Sequence, residues 1–197
     1  MLFVNFLEEV GPFRKWIVTE NWHRDFIDLA VAQHHGLATR LLDWSRNPLA
    51  ALWFAVSSEW HEDVNGAVFI VDTMQQEMLL NVTENPFEID RVVFFPPPPI
   101  VERVWNQTSW FSLHPKDASN KPMALPESST AHNSHLIIPV ECKSTIRNEL
   151  HLLSIDELRL FYDLDGLCQH VNWFSTSYAK FHFAKAATRA ADSGSPA

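Results

Sequence analysis

"QHHGLATRLLDWSRNPLAALWFAV", residues 33–56, decides how this chain is read. Gln33, His34, Arg40, Asp43 and Asn47 alternate there with Leu37, Leu41, Leu42, Trp44 and Leu49, which is not the spacing of a solvated helix face. Several of these polar groups must therefore be partly buried. A buried Arg40 needs a partner, because an unpaired buried charge costs several kcal/mol. Two readings fit these residues. In one, Arg40 and Asp43 pair and pin a connector while Asn47 caps a helix. In the other, Gln33, His34 or His35, and Arg40 line a pocket for an anionic ligand at the positive end of the helix that follows.

Upstream, apolar positions 2, 3, 6, 7 and 10 predict a helix ended by Gly11-Pro12. Trp22, Phe26, Leu29, Ala30 and Ala32 predict a second helix, running to about Gln33. Gly36 can close it in the left-handed conformation, and residues 37–46 are expected to be a connector. Asn47-Pro48 is a cap followed by a first-turn proline, so a helix starts there. Its apolar stripe is Leu49, Leu52, Trp53, Val56 and Trp60.

Downstream, "GAVFIVDT" (66–73) and "RVVFF" (91–95) are short apolar runs that read as buried strands. "SWFSL" (109–113) and "HLIIPVEC" (135–142) are further strands, the last edged or bulged at Pro139. Residues 115–134 are polar and proline-rich and are expected to form a mobile surface loop. Helices are expected from Ser144 to about Leu153, and from Asp156 to Phe174 with a break at Gly166. The small, polar stretch 184–197 is expected to be a disordered tail. Strands in the middle with helices at both ends give an α+β class, a small mixed or antiparallel sheet in one domain over 1–175.

The composition narrows function. With 46% hydrophobic and 20% charged residues, the 197-residue chain has material for a real core. Fifteen Lys+Arg against 24 Asp+Glu give a net charge of −9, which disfavours non-specific nucleic-acid binding. Eight Trp mean that buried indole N–H groups will need acceptors. Cys142 and Cys168 are too few for a disulfide framework and are expected to be reduced, buried and small-hydrophobe-like. The apolar run at the N-terminus lacks a basic flank, and no segment reaches the ~18 apolar residues of a membrane span. A cytoplasmic location without a membrane partner is the expectation.

Phosphate-cradling glycine loops, HExxH and GxSxG are absent. No metal set is expected. His34 and His35 diverge on a helix, and Asp163, Asp165 and His170 make only a weak D-x-D grouping.

"AQHHGLATRLLDWSRNPLAALWFAV" closely resembles the central signature of the FRG domain family, with Ala38 and Ser45 where that signature has proline and threonine. "PIVERVWNQTSWFSLHP" (99–115) resembles a later family segment through Arg103, Gln107, Phe111, Ser112 and His114. "LFYDLDGLCQHV" (160–171) resembles its closing motif, with Tyr162 in place of proline. The family's naming Phe-Arg-Gly motif lies on a strand upstream of this signature. "PFRKW" (12–16) is not that motif in that place, so the chain is expected to lack an N-terminal strand. By analogy, the order of elements is similar to that of ADP-ribosyltransferase folds, which implies NAD as cofactor or substrate. Gln107 or His114 would then stand near the catalytic glutamate, with Glu102 close by. Gln33, His34, His35, Arg40, Asp43, Asn47 and Arg103 would form the ligand-binding set. The resemblance leaves two functions open: a cleft for a nucleotide or NAD-type ligand, or a non-catalytic module that binds a protein partner.

Overall fold

The computed structural model describes residues 2–15, 21–57, 63–97 without 73, 75, 80 and 81, 109–125 without 118 and 120, 134–179, and 182. Glu102, Arg103, Gln107 and the tail at 184–197 lie outside the described residues, as does much of the 115–134 segment.

The class is α+β. Helix α1 spans Leu2–Glu9 and passes through a 3-10 turn, Gly11–Phe13, into α2 at Arg24–His34. Strand β1 (Leu41–Ser45) and helix α3 (Pro48–Ser57) follow, then β2 (Gly66–Ile70), β3 (Val93–Phe95), β4 (Ser109–Leu113) and β5 (Ser134–Ile138). Three helices close the described chain: α4 (Val140–Leu152), α5 (Glu157–Phe161) and α6 (Leu164–Trp173), the last running into a π-helical turn, Phe174–Tyr178.

The strands form two antiparallel sheets rather than one. The first has the order β1-β4-β3, and the second pairs β2 with β5. In the first, Leu41 faces Leu113 and Asp43 faces Phe111 across the ladder. Helix α2 packs Phe26, Leu29 and Ala30 against this sheet, where they meet Leu41, Val93, Phe95, Phe111 and Leu113. The second core joins Ala50, Trp53 and Val56 of α3 to Ile138, Leu150 and Leu160. Gly66 lets β2 approach α3 closely, since a Cβ there would stand 2.4 Å from the Ala55 carbonyl oxygen.

Several expectations hold in detail. Gly36 closes α2 with φ +85°, and Asn47 Oδ1 accepts from the Leu49 N–H at 3.0 Å to cap α3. Others are corrected. The connector 37–46 contains strand β1, whose order comes from pairing with β4 far along the chain rather than from any local turn signal. The strand expected over 135–142 stops at Ile138, because Pro139 leaves the ladder and starts α4 instead. The break after α5 falls at Tyr162, in the left-handed region at φ 45°, rather than at Gly166. Cys142 and Cys168 are free thiols, but both are exposed on helices rather than buried. Among the described residues, no helix is long and apolar enough to cross a membrane.

Candidate functional site

A cleft of about 630 Å³ opens where the two cores meet. Gln33 and His34 at the end of α2 form one wall with Asp43 and Ser45 of β1; Ser109 and Phe111 of β4 lie beside them. Phe54 of α3, Phe69 of β2 and Phe161 of α5 supply rings from the other side. Its volume and its ratio of apolar wall to a few convergent polar groups are those of a small-ligand site.

The polar wall is organised by Gln33. Its Nε2 donates to Asp43 Oδ2 at 2.8 Å and to the Leu41 carbonyl at 3.2 Å. The Thr39 hydroxyl donates to Gln33 Oε1 and accepts from the Leu41 N–H at 3.0 Å. One side chain thus fastens the end of α2 to β1 and aims the Asp43 carboxylate. Asp43 is open to solvent in the cleft but crowded by its walls. This desolvation pushes its carboxyl above the usual carboxylate range, and the Gln33 hydrogen bond offsets only part of the effect.

Arg40 and Asp43 do not pair. The Arg40 backbone extends the ladder, with His114 N–H donating to its carbonyl at 3.0 Å. Side chains three residues apart on an extended chain point to opposite faces, so the two groups part. Arg40 Nη2 donates to the Pro86 carbonyl at 2.9 Å, and its guanidinium lies 4.6 Å from the Phe87 ring centre. Partial burial lowers its pKa. Arg40 is therefore a brace between β1 and the 85–88 turn, off the cleft. His35 ends α2 on an exposed surface, and Asn47 serves as the α3 cap.

Residues 1–64 match the FRG domain family. The match covers 64 of the 197 residues. No curated protein and no solved structure matches the chain. The matched stretch runs from α1 past α3, so it contains the Gln33–Asp43 wall. The walls from β2, β4 and α5 lie beyond it, as do the resembling segments at 99–115 and 160–171.

His114, which the FRG resemblance placed near the catalytic position, sits in a buried hydrogen-bond chain. The Trp44 indole N–H donates to Ser112 Oγ at 2.8 Å, and that oxygen lies 2.7 Å from His114 Nε2. His114 Nδ1 lies 2.7 Å from the Met123 carbonyl, which can only accept, so Nδ1 carries a proton. With a neutral ring, the Ser112 hydroxyl then donates to Nε2. A hydroxyl–imidazole pair of this kind can be a nucleophile and base. Ser112, however, is 0% exposed and does not line the cleft, so the chain ties β1 and β4 to the segment after them. It also supplies the acceptor that the Trp44 indole requires.

Sequence reasoning missed the aromatic side of the cleft, Phe54, Phe69 and Phe161. These rings come from three elements, and only the fold brings them together. The Asp163–Asp165 grouping does not gather around His170: Asp163 Oδ1 caps α6 through the Gly166 N–H at 2.7 Å. His170 instead lies beside His151, Asp156 and Glu157.

Proposed function

We propose that the cleft is the ligand site of this FRG domain and takes a nucleoside or NAD-type ligand. The observation that carries this reading is Asp43: a carboxylate aimed by Gln33 into an aromatic cleft and raised in pKa by its surroundings. Such a group gains most from a ligand that brings positive charge or donor groups to it. A flat base fits against Phe54, Phe69, Phe111 and Phe161, while a pyridinium ring or ribose hydroxyls meet Asp43 and Gln33. The described lining residues include no Lys or Arg, so this reading seats the base and sugar in the cleft and leaves the phosphates toward its mouth. If the site also performs ADP-ribosyl transfer, Asp43 stabilises positive charge developing at the sugar carbon as nicotinamide leaves.

Calorimetric titration with NAD, nicotinamide riboside and adenosine tests this, with nicotinamide release followed separately. Saturable binding of at least one of them is expected, weakened about tenfold or more by Asp43→Asn or Gln33→Ala. Binding equal in both variants, or no binding by any of the three, would sink the reading.

A second reading, a protein-docking module, is favoured by the exposed apolar side chains of the β2–β5 sheet: Phe69, Leu136 and Ile137 are 66%, 59% and 54% exposed. It expects Leu136→Glu to abolish partner association and Asp43→Asn to leave it intact.

A further inference from the structure

Helices α4, α5 and α6 bring His151, Asp156 and His170 together, with ligand atoms within 4.8 Å of one another and Glu157 beside His170, away from the cleft. His151 stands in the last turn of α4, Asp156 and Glu157 at the start of α5, and His170 toward the end of α6. His151 Nδ1 is 3.5 Å from Asp156 Oδ2; His170 Nδ1 is 4.0 Å from the same oxygen and 3.7 Å from Glu157 Oε2. Asp156 and Glu157 are 1% and 2% exposed. His151 Nδ1, His170 Nδ1 and the neighbouring Glu157 Oε2 are buried without a hydrogen-bond partner. A buried polar atom left unmatched costs about 1–3 kcal/mol, so three aimed at one place call for a missing partner.

We infer that His151, Asp156 and His170 form a binding site for one divalent first-row transition ion of the zinc type, with Glu157 beside His170. Two imidazole nitrogens and a carboxylate oxygen suit such an ion better than magnesium or calcium, which favour all-oxygen sites. Ligands around a tetrahedral ion at ~2.0–2.1 Å stand roughly 3.3–3.4 Å apart. The three ligand atoms lie within 4.8 Å of one another, with Asp156 Oδ2 at 3.5 and 4.0 Å from the two imidazole nitrogens, so a contraction of the group closes it on an ion.

The surroundings favour the same assignment. Arg147 Nη2 donates to Glu157 Oε1 at 2.5 Å, with the guanidinium carbon 4.9 Å from the Trp173 ring centre, leaving Oε2 turned inward. Arg159 Nη1 is 2.6 Å from Asp156 Oδ2, but its side chain is 54% exposed and can swing into solvent as the ion enters. Rings of Trp173, Phe174 and Tyr178 pack on His151 at 5.2, 5.7 and 4.8 Å. The π-helical turn that delivers Phe174 and Tyr178 is an irregularity found frequently at functional sites. With ligands from three helices, the ion fastens the C-terminal part of the fold.

The test uses tag-free protein stripped with a chelator, titrated calorimetrically with zinc chloride and spectroscopically with cobalt(II). One ion per chain is expected, with the visible bands of a four-coordinate cobalt site and a raised Tm. His170→Gln should weaken zinc at least tenfold while the metal-free Tm stays near that of the parent, and Arg159→Gln should tighten it severalfold. Absence of a saturable one-to-one ion overturns the site, as does undiminished binding by the His151→Gln/His170→Gln double variant. Should that variant fail to fold, imidazole NMR signals of the parent decide. Zinc must shift those of His151 and His170 and leave His34 and His114 in place; the reverse pattern overturns the assignment.

Discussion

At Asp43 the fold holds a carboxylate where desolvation works against its charge. Its folded pKa is raised, so between the ordinary carboxylate value and that raised value the folded state binds more protons than the unfolded chain. Stability from this residue is therefore greatest at low pH and declines as pH rises through the window. Because Asp43 is open to solvent, the effect stays below about 1 kcal/mol. Asp43→Asn, which keeps an acceptor for Gln33, should become more stable than the parent as pH passes from about 4 toward neutral. Paired denaturation curves across that range check this; a difference independent of pH would refute it. Ligand affinity should run the opposite way, since a cationic ligand needs the carboxylate charged. Tyr162 is a second residue under local cost, at φ 45° with its N–H donating to the Leu158 carbonyl at 3.1 Å. Tyr162→Gly should raise stability by about 0.5–1 kcal/mol, read as a Tm increase of roughly 2 °C or more. Tyr162→Pro should lower it by more than that, because proline can adopt neither the angle nor the hydrogen bond.

Helices with their own start and stop signals and the short apolar runs of β2 to β5 were legible, and β1 was not. Helices α1, α2 and α3 follow from apolar spacing, Gly11-Pro12, Gly36 and Asn47-Pro48. Strand β1 has no such signal: Leu41 is buried and Leu42 is 48% exposed, a contrast set by α2 packing on one face of the sheet that β4 pairing creates. The cleft divides the same way. Gln33, His34 and Asp43 could be singled out because polar residues stood where apolar spacing demanded burial, whereas Phe69 and Phe161 looked like ordinary core. Gly166 was legible as special but for another reason. A Cβ there would lie 2.8 Å from the Phe161 Cβ, so it permits α5 and α6 to touch rather than breaking a helix. The joint between α1 and α2 rests on an ion pair that also went unread. Arg14 Nη2 lies 2.6 Å from Asp28 Oδ2, and Asp28 is 0% exposed on α2. Arg14→Ala should destabilise the protein, by about 3 kcal/mol at most, because the buried Asp28 carboxylate loses its 2.6 Å partner and Arg24 lies 3.9 Å away. Urea denaturation checks this, and a loss within a few tenths of a kcal/mol would show that Arg24 takes over.

On the scale of the whole molecule, the cleft exists because two sheets and two cores meet without merging. The first core belongs to α2 and the β1-β4-β3 sheet, the second to α3, the β2–β5 pair and the helices after it. Helix α3 touches both sheets, through β1 and through β2, and carries Ala51 and Phe54 to the cleft between them. The small residue at 51 keeps space open where a larger side chain would occupy it. Ala51→Trp should therefore fill part of the 630 Å³ without displacing a packed core residue. The expected result is a folded protein with Tm within a few degrees of the parent and ligand affinity reduced more than tenfold, since the added ring takes the place of the base. The two readouts separate causes. Lost affinity with a retained Tm locates the ligand between the cores, and lost affinity with a collapsed Tm reports overpacking. Retained affinity with a retained Tm would place the ligand elsewhere on the chain and remove the cleft from the mechanism.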